Sequence, residues 1–177
     1  MQVIGFAGRK GSGKDTCADI LVQHYGFDKR AFATPLKTFC QQLFLLSDDQ
    51  LWGNLRDIVD DRYGHTPRQL LQKFGTDFIR DCISPNFWVD QFSAWYRSQS
   101  RSVVVSDVRF QNEVATIQQL GGRVYLVARP DMAVYDNHKS ENAEKLKGLN
   151  GVITNDRDVQ ALKEKVISLT NFSPRSS

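Results

Sequence analysis

The sequence predicts an α/β fold in which a parallel sheet of about five strands is flanked by helices on both faces. Short apolar runs rich in β-branched residues alternate along the chain with segments of helical periodicity. The two clearest runs, QVIGFA and SVVVSD, have uninterrupted apolar centres, which is typical of parallel strands buried on both faces. The first run leads through a glycine-rich loop into a helix, which is the first half of a βαβ unit.

The composition restricts the class of protein. A chain of 177 residues suits one domain, or one domain with a small insert, and 41% hydrophobic residues suffice for a buried core. A net charge of +3 is too small to indicate a nucleic-acid partner, and no apolar run approaches the roughly 20 residues that span a membrane. The three cysteines lie far apart without metal-ligand spacing. We therefore expect reduced thiols in a cytoplasmic protein.

The first half of the chain is predicted to be mostly helical after its first strand. Strands are expected at residues 2–7 and 27–32, and helices at 15–25, 35–46, 66–80 and 87–96. Residues 47–65 are polar and irregular, with room for one helix. Thr66, Pro67 and Gln69 form a capping box with proline at the first helical position. At 100° per residue this helix has an apolar and a polar face. The apolar face holds Leu70, Leu71, Phe74 and Phe78, and the polar face holds Gln69, Gln72, Lys73, Thr76 and Arg80.

The second half of the chain returns to alternating strands and helices. Strands are predicted at residues 102–107, 123–128 and 151–154, and helices at 111–120 and 159–169. Residues 131–150 are polar with few apolar anchors. No internal repeat is visible, so the chain reads as one domain over residues 1–177.

The sequence GRKGSGKDT at residues 8–16 predicts a phosphate-binding loop and hence the P-loop NTPase fold. Backbone N–H groups of a glycine-rich turn form a concave anion site, and the following helix directs its positive end to the same place. The lysine of such a loop reaches the β- and γ-phosphates. The predicted ATP contacts here are Gly8, Lys10, Gly11, Ser12, Gly13, Lys14, Asp15 and Thr16.

The loop departs from the usual pattern at one position. Asp15 stands where a serine or threonine normally follows the lysine, and the hydroxyl comes one residue later, at Thr16. This form resembles the loop of nucleotide and nucleoside kinases more than that of GTPases or ATPase motors, and no Asn-Lys-x-Asp guanine motif is present. We expect Mg²⁺ to be held by Thr16, by the nucleotide phosphates and by water.

Asp107 ends the strand SVVVSD, and ligands of open α/β sheets bind beyond the carboxyl ends of strands. Its carboxylate could hold Mg²⁺, directly or through water, accept hydrogen bonds from an acceptor substrate, or cap the next helix. Phosphoryl transfer also needs cations besides Lys14, because negative charge develops on the transferred group. The candidates are Arg9, Lys37, Arg68, Arg109, Arg129 and Lys139.

With these residues in view, the chain resembles the deoxynucleoside monophosphate kinases of tailed phages. The resemblance covers most of the chain as ordered blocks. They are GRKGSGKDT with Ala18-Asp19, Pro35-Leu36-Lys37, RQLLQKFGTDFI at 68–79, Trp88-Val89, Asp107-Val108-Arg109, residues 121–130, His138-Lys139-Ser140-Glu141 and VITND at 152–156.

The resemblance implies transfer of the γ-phosphoryl of ATP to a 2′-deoxynucleoside 5′-monophosphate with Mg²⁺, in a host cytoplasm during phage DNA synthesis, and leaves a homodimer open. Lys14, Asp107 and Arg109 would be catalytic, and Thr16 and Asp107 would be on the metal side. A helical region at about 35–98 would bind the acceptor, and a lid at about 130–150 would close. The remaining implied site residues are Arg129, Asn155 and Asp156 for ATP; Lys37, Arg68, Gln69, Gln72, Thr76, Trp88, Asp107 and Arg109 for the acceptor; and His138, Lys139 and Glu141 in the lid.

Two departures from the family pattern limit what can be carried over. Residues 47–65 are short beside the insert of some members, so base specificity does not transfer. Arg157 stands where the family often has glycine, which affects the contacts to adenine. The alternatives are another kinase of the same fold, for dephospho-coenzyme A or a nucleoside, and a nucleotide-binding regulator without catalysis.

Overall fold

The computed structural model describes residues 1–130 and 143–170, and within these ranges it contains five strands and seven α-helices. In chain order they are β1 (Val3–Ala7), α1 (Lys14–Tyr25), β2 (Asp28–Arg30), α2 (Thr34–Leu43), α3 (Asp48–Trp52), α4 (Pro67–Gln72), α5 (Phe87–Arg97), β3 (Val103–Val108), α6 (Gln111–Gln119), β4 (Arg123–Ala128), β5 (Gly151–Thr154) and α7 (Val159–Thr170). Two 3₁₀ turns (Asn54–Asp57, Ala143–Lys145) and a π-helix (Lys73–Ile83) complete the chain order.

All five strands are parallel, in the order β2-β3-β1-β4-β5. The strand β1 is central, with β3 and β2 on one side and β4 and β5 on the other. In open parallel sheets, ligands bind beyond the carboxyl ends of the strands where the strand order reverses, and here that place is beside the carboxyl end of β1. The glycine-rich loop begins at this point. The predicted α/β class and parallel sheet are confirmed.

The chain divides into two compact units, Met1–Ala31 with Phe92–Ser177, and Phe32–Gln91. The first unit contains the sheet. Leu21 of α1 and Val166 of α7 belong to one core with alternate side chains of β1 and β4. On the opposite face Ile117 of α6 lies so close to Gly5 that an added Cβ would meet it at 2.7 Å. Both faces of the sheet are therefore covered, as the apolar strands predict.

The second unit is helical and has its own core, which includes Leu51, Leu71 and Trp88. The predicted capping box is present: the Gln69 backbone N–H donates to Thr66 Oγ1, and the Thr66 N–H donates to Gln69 Oε1. A second capping box, formed by Ser47 and Gln50, begins α3 inside the segment that looked irregular in sequence.

The predicted faces of the helix at residues 66–80 are wrong beyond Gln72. From Lys73 the chain winds as a π-helix, whose i to i+5 hydrogen bonds rotate each residue by less than an α-helix does. The inward face consequently changes: Thr76 and Arg80 are buried, whereas Phe78 is 49% exposed. In α2 the buried residues are Leu36 and Cys40.

The three cysteines are free thiols, as predicted, with Cys17 and Cys40 buried and Cys82 exposed. Burial raises the pKa of Cys17 and of Cys40 to about 12, so both are protonated at neutral pH. None of the helices in the described ranges has the length and apolar character needed to cross a membrane.

Candidate active site

The glycine-rich loop adopts a backbone that its sequence was predicted to require. Gly8, Gly11 and Gly13 have φ values of 145°, 77° and 106°. These values lie in the left-handed region, where glycine alone carries no steric penalty. The helix α1 begins directly after them, at Lys14. Loop N–H groups and the positive end of α1 therefore converge on one place, as an anion site requires.

The loop is also held by close contacts on two sides. A Cβ on Gly8 would lie 2.3 Å from the Val127 carbonyl oxygen of β4, and a Cβ on Gly13 would lie 2.6 Å from Asn155 Nδ2. The Asn155 amide donates to the Ser12 carbonyl at 2.9 Å. The loop is thus braced by β4 and by the residue that follows β5.

Lys14 and Ser12 place polar atoms inside this loop. Lys14 is only 7% exposed, and its ammonium donates to the Arg9 carbonyl at 2.6 Å. The Ser12 hydroxyl is buried and has no hydrogen-bond partner among the described residues. A buried hydroxyl in that condition needs a reason. A phosphate oxygen in the loop would supply the missing partner.

A cavity of about 200 Å³ adjoins the loop. The loop contributes Gly8, Arg9 and Ser12 to its lining, and the end of β4 contributes residues 126–130. Arg129, a predicted ATP contact, is an exposed residue of this lining. The cavity therefore joins the phosphate loop to Arg129, which the resemblance implies as an ATP contact.

Asp15 is bonded to two side chains that the sequence did not identify. The Ser106 hydroxyl donates to Asp15 Oδ1 at 2.8 Å, and Lys29 Nζ lies 3.1 Å from the same oxygen and 2.9 Å from Asp19 Oδ1. Burial acts to raise the pKa of Asp15, but the hydrogen bonds and the positive charges of Lys29 and Lys14 outweigh it, so the pKa is lowered. Ser106 had one signal, its place beside Asp107 at the end of β3, while Lys29 had none.

Asp107 and Arg109 lie at the carboxyl end of β3, beside β1. The carboxylate of Glu113, only 2% exposed, accepts the backbone N–H of Arg109 at 2.7 Å and of Phe110 at 3.1 Å. This buried acceptor fixes the turn between β3 and α6. Glu113 is therefore a positioning residue for the backbone that carries Arg109.

The predicted metal-side residues fit Mg²⁺ in type. Thr16 is half-buried in the first turn of α1, and Asp107 is half-buried at the end of β3. Mg²⁺ in nucleotide sites is bound through one or two protein oxygens, with phosphates and waters completing the octahedron. Within residues 1–130 and 143–170, no group of three His, Cys, Asp or Glu residues forms a metal cage. A hydroxyl and a carboxylate suit a metal that arrives with the nucleotide.

The segment after β5 holds the two remaining ATP candidates of the first unit. Asn155 braces the phosphate loop, as described above. Lys165 donates to Asp156 Oδ1 at 2.6 Å and to the Thr154 carbonyl at 2.7 Å. The hydrogen bond from Lys165 lowers the pKa of Asp156. The contacts of Lys165 with Asp156 and Thr154 therefore fix the segment between β5 and α7.

The acceptor candidates of the second unit differ in their surroundings. The ammonium of Lys37 on α2 lies 5.4 Å from the ring centroid of Trp52, a cation–π distance. On α4, Arg68 Nε donates to Asp57 at 2.6 Å. Gln69, next to it, uses its side-chain oxygen in the capping box, while Gln72 is half-buried.

Trp88 and Thr76 are buried in the second unit. The indole N–H of Trp88 donates to the Gly75 carbonyl at 2.9 Å inside the π-helix. Its only donor is thereby used, so this placement favours a packing role. The predicted lid residues His138, Lys139 and Glu141 lie outside the described residues.

Comparison with known sequences gives one family. The model of the family described as deoxynucleotide monophosphate kinase matches residues 52–166. A protein of Acanthamoeba polyphaga mimivirus, provisionally named deoxynucleotide monophosphate kinase, is 40% identical over 184 aligned positions that cover 95% of each chain. The deoxynucleotide monophosphate kinase of Enterobacteria phage T4 is 23% identical over 236 positions, covering 94% of this chain and 97% of the phage protein.

Comparison with solved structures supports the fold. A sugar kinase from Janibacter sp. superposes with a TM-score of 0.53 at 12% identity, covering 97% of this chain and 95% of its own. A dephospho-CoA kinase from Campylobacter jejuni gives 0.51 at 13% identity, covering 96% of both chains. At such low identity the likeness speaks for the P-loop fold alone.

Proposed function

The chain belongs to the deoxynucleotide monophosphate kinase family of ATP-dependent kinases, and from this premise we propose its reaction. It transfers the γ-phosphoryl of ATP to a 2′-deoxynucleoside 5′-monophosphate, giving ADP and the deoxynucleoside diphosphate. The observation that carries the proposal is the phosphate loop: three glycines with positive φ, a buried Lys14, and a Ser12 hydroxyl that no described residue pairs with. A loop of this form is a site for the phosphates of a nucleotide.

Lys14 has the central role in the proposed chemistry. Its ammonium neutralises the bridging region of the β- and γ-phosphates, where charge accumulates as the bond to the γ-phosphoryl breaks. Because the side chain is buried and bonded to the Arg9 carbonyl, the protein itself fixes its position. Such preorganisation lowers the cost of stabilising the transition state.

Arg109 and Asp107 supply a guanidinium and a carboxylate that act on the transferred phosphoryl group, the acceptor or the metal. The Arg109 guanidinium stabilises the transferred group in the transition state, on a turn fixed by Glu113. The Asp107 carboxylate orients the acceptor or the metal. Thr16 and Asp107 would hold Mg²⁺, which, when bound with ATP, neutralises charge on the phosphate oxygens.

The acceptor is assigned to a deoxynucleoside monophosphate because of the family. In the second unit, Lys37 and Arg68 are the cations that would bind the phosphate of this acceptor. Gln69 and Gln72, close to Arg68 in sequence, would make polar contacts to it. Thr76 and Trp88 would support these residues from the core of that unit. The same proposal includes a lid at residues 130–150 that closes over the substrates. It also includes a cytoplasmic location in an infected host, a role in supplying deoxynucleotides for phage DNA synthesis, and a homodimer.

The proposal is tested with a panel of acceptors. Purified protein with MgATP is given each dNMP, each NMP, nucleosides and dephospho-coenzyme A, and ADP release is followed. We expect turnover with at least one dNMP and none with dephospho-coenzyme A. Turnover with dephospho-coenzyme A or nucleosides alone would replace the acceptor, and ATP binding without transfer to any acceptor would indicate a regulatory protein.

A further inference from the structure

The pair formed by Asp15 and Ser106 reverses a familiar arrangement. In most phosphate loops, a hydroxyl directly follows the lysine and binds Mg²⁺, and a carboxylate comes from the end of another strand. Here the carboxylate of Asp15 follows Lys14, and the hydroxyl of Ser106 comes from the end of β3. The two chemical groups are present at 2.8 Å from each other, but they have exchanged elements.

We propose that Asp15 presents its Oδ2 oxygen to the Mg²⁺ of bound MgATP, and that Ser106 is the positioning residue that orients this carboxylate. The proposal rests on the proposed function only in that the loop binds MgATP. It assigns a metal-side role to the residue that made the loop unusual, in addition to Thr16.

The division of contacts between the two oxygens supports this role. Ser106 and Lys29 both contact Oδ1. No described residue donates to Oδ2, and the Asp15 side chain is 76% exposed. One oxygen is thus fixed by the protein while the other faces solvent, in the first turn of the helix that begins at Lys14. A carboxylate anchored in this way keeps its orientation when a metal binds the other oxygen.

The competing explanation is that Asp15 serves only as an ion-pair partner of Lys29. Asp19 provides a matched comparison for it. Asp19 lies one turn along α1, contacts the same ammonium at 2.9 Å, and has no contact with Ser106. Removing either carboxylate takes one negative charge from Lys29. Only Asp15 stands beside the lysine of the phosphate loop.

The test measures binding of a non-hydrolysable ATP analogue by titration calorimetry, with Mg²⁺ and with EDTA. The variants are Asp15→Asn, Ser106→Ala, Asp19→Asn, Asp15→Ser, and the double exchange that combines Asp15→Ser with Ser106→Asp. For Asp15→Asn, we expect the gain in affinity from Mg²⁺ to fall about tenfold or more, as for loss of a group in a metal's surroundings. Its metal-free affinity should be equal to or higher than that of the wild type, because a charge that repels phosphate is gone.

The remaining variants sharpen the test. Ser106→Ala should lose part of the Mg²⁺ gain, and Asp19→Asn should keep it. The double exchange should recover more of the gain than Asp15→Ser alone, since it restores the usual positions of hydroxyl and carboxylate. Circular dichroism identifies variants that do not fold. If the double exchange does not fold, the result for Asp15→Asn, whose side chain has nearly the same shape as aspartate, decides the test.

Two results would overturn the inference: an unchanged Mg²⁺ gain in Asp15→Asn, or equal losses in Asp15→Asn and Asp19→Asn. The proposed function can fail separately. Normal Mg²⁺-dependent binding of the ATP analogue without turnover of any dNMP would refute the acceptor and leave the role of Asp15 standing.

Discussion

Lys14 is a buried cation, and burying a charge costs free energy unless the group is paired and hydrogen-bonded. The hydrogen bond to the Arg9 carbonyl satisfies one of its three donors. The phosphates of bound ATP would add acceptors for this ammonium. At the scale of single residues, this lysine connects the shape of the loop to the proposed chemistry most directly.

Replacing Lys14 with alanine should lower kcat about 10²-fold or more, in the range seen when one charge-stabilising group is removed. The fold should remain, because the loop backbone is braced by Val127 and Asn155. Steady-state kinetics and thermal melting measure the two effects. Arg123→Ala, which removes an exposed cation at the amino end of β4 and outside the site, is the control. Activity of Lys14→Ala within a few-fold of wild type would refute the assignment.

Arg109 and Glu113 should separate catalysis from stability. Arg109→Ala should reduce kcat strongly and change the unfolding free energy little. Glu113→Ala leaves two backbone N–H groups without their acceptor, so we expect a loss of about 1–3 kcal/mol in unfolding free energy together with reduced kcat. Glu113→Gln keeps one acceptor oxygen and should recover part of both. Chemical denaturation and kinetics on the same samples provide the comparison, and equal losses of rate and stability in Arg109→Ala would indicate a structural residue.

At the scale of elements, two glycines with positive φ differ in their surroundings: Gly13 belongs to the phosphate loop, and Gly121 lies between α6 and β4. Gly13 combines a φ of 106° with a close contact to Asn155, whereas Gly121 has a φ of 77° in open space. We expect Gly13→Ala to lower stability by about 1–3 kcal/mol from backbone strain and to weaken ATP binding as the Asn155 amide is displaced. Gly121→Ala should carry strain alone. ATP titrations of both variants test this, and equal ATP affinities would contradict it.

The π-helix is the second element with a consequence that can be measured. Trp88→Phe removes the donor to the Gly75 carbonyl and replaces a buried indole with a smaller ring. It should reduce the unfolding free energy by about 1–3 kcal/mol, because a buried hydrogen bond and packed apolar volume are lost. If Trp88 acts by packing, the KM for the acceptor should change by less than a factor of about two. A large rise in KM with unchanged stability would restore direct contact between Trp88 and the acceptor.

The elements also indicate how far sequence reasoning reaches. Strands β4 and β5 begin and end where their apolar runs predict, and the Thr66–Gln69 capping box is present. Residues close together in sequence determine such features, so the sequence alone predicts them. The π-helix was missed because its residues have an ordinary helical composition, and only the tertiary structure reveals the wider winding. That error moved Thr76 and Phe78 to the wrong faces.

The candidate site shows the same division. Glycine spacing was enough to predict the loop backbone at residues 8–13. The contacts of Asp15 with Ser106 and Lys29 were out of reach, because they join side chains 91 and 14 residues apart in sequence. Ser106 could have been suggested by its position near the carboxyl end of β3, because such strand ends lie close to the phosphate loop. Nothing in the sequence around Lys29, on the edge strand β2, indicates which carboxylates it contacts.

At the scale of the whole molecule, the two units carry different candidates. The phosphate loop, Asp107 and Arg109 lie in the first unit, and Lys37 and Arg68 lie in the second. Hydrogen exchange with mass spectrometry can test this division. An ATP analogue with Mg²⁺ should slow exchange at residues 8–16 and 126–130, and a dNMP should slow exchange within Thr34–Leu43 and Pro67–Gln72. Protection of neither helix by any dNMP would remove the second unit from the acceptor site.

The relatives also bear on the whole chain. The alignment with the phage T4 protein extends over 236 positions, more than the 177 residues of this chain, so the T4 protein has residues without a counterpart here. Base preference is accordingly a property to measure for this chain and not one to carry over.

The measurement that tests the central claim most directly follows the phosphoryl group itself. Wild type and Lys14→Ala are incubated with ATP labelled in the γ-phosphate, Mg²⁺ and each of the four dNMPs, and the products are separated by chromatography. The label should appear in a deoxynucleoside diphosphate with the wild type and be almost absent with Lys14→Ala. Label that stays in ATP or appears only as inorganic phosphate, with every dNMP, would contradict the proposed transfer.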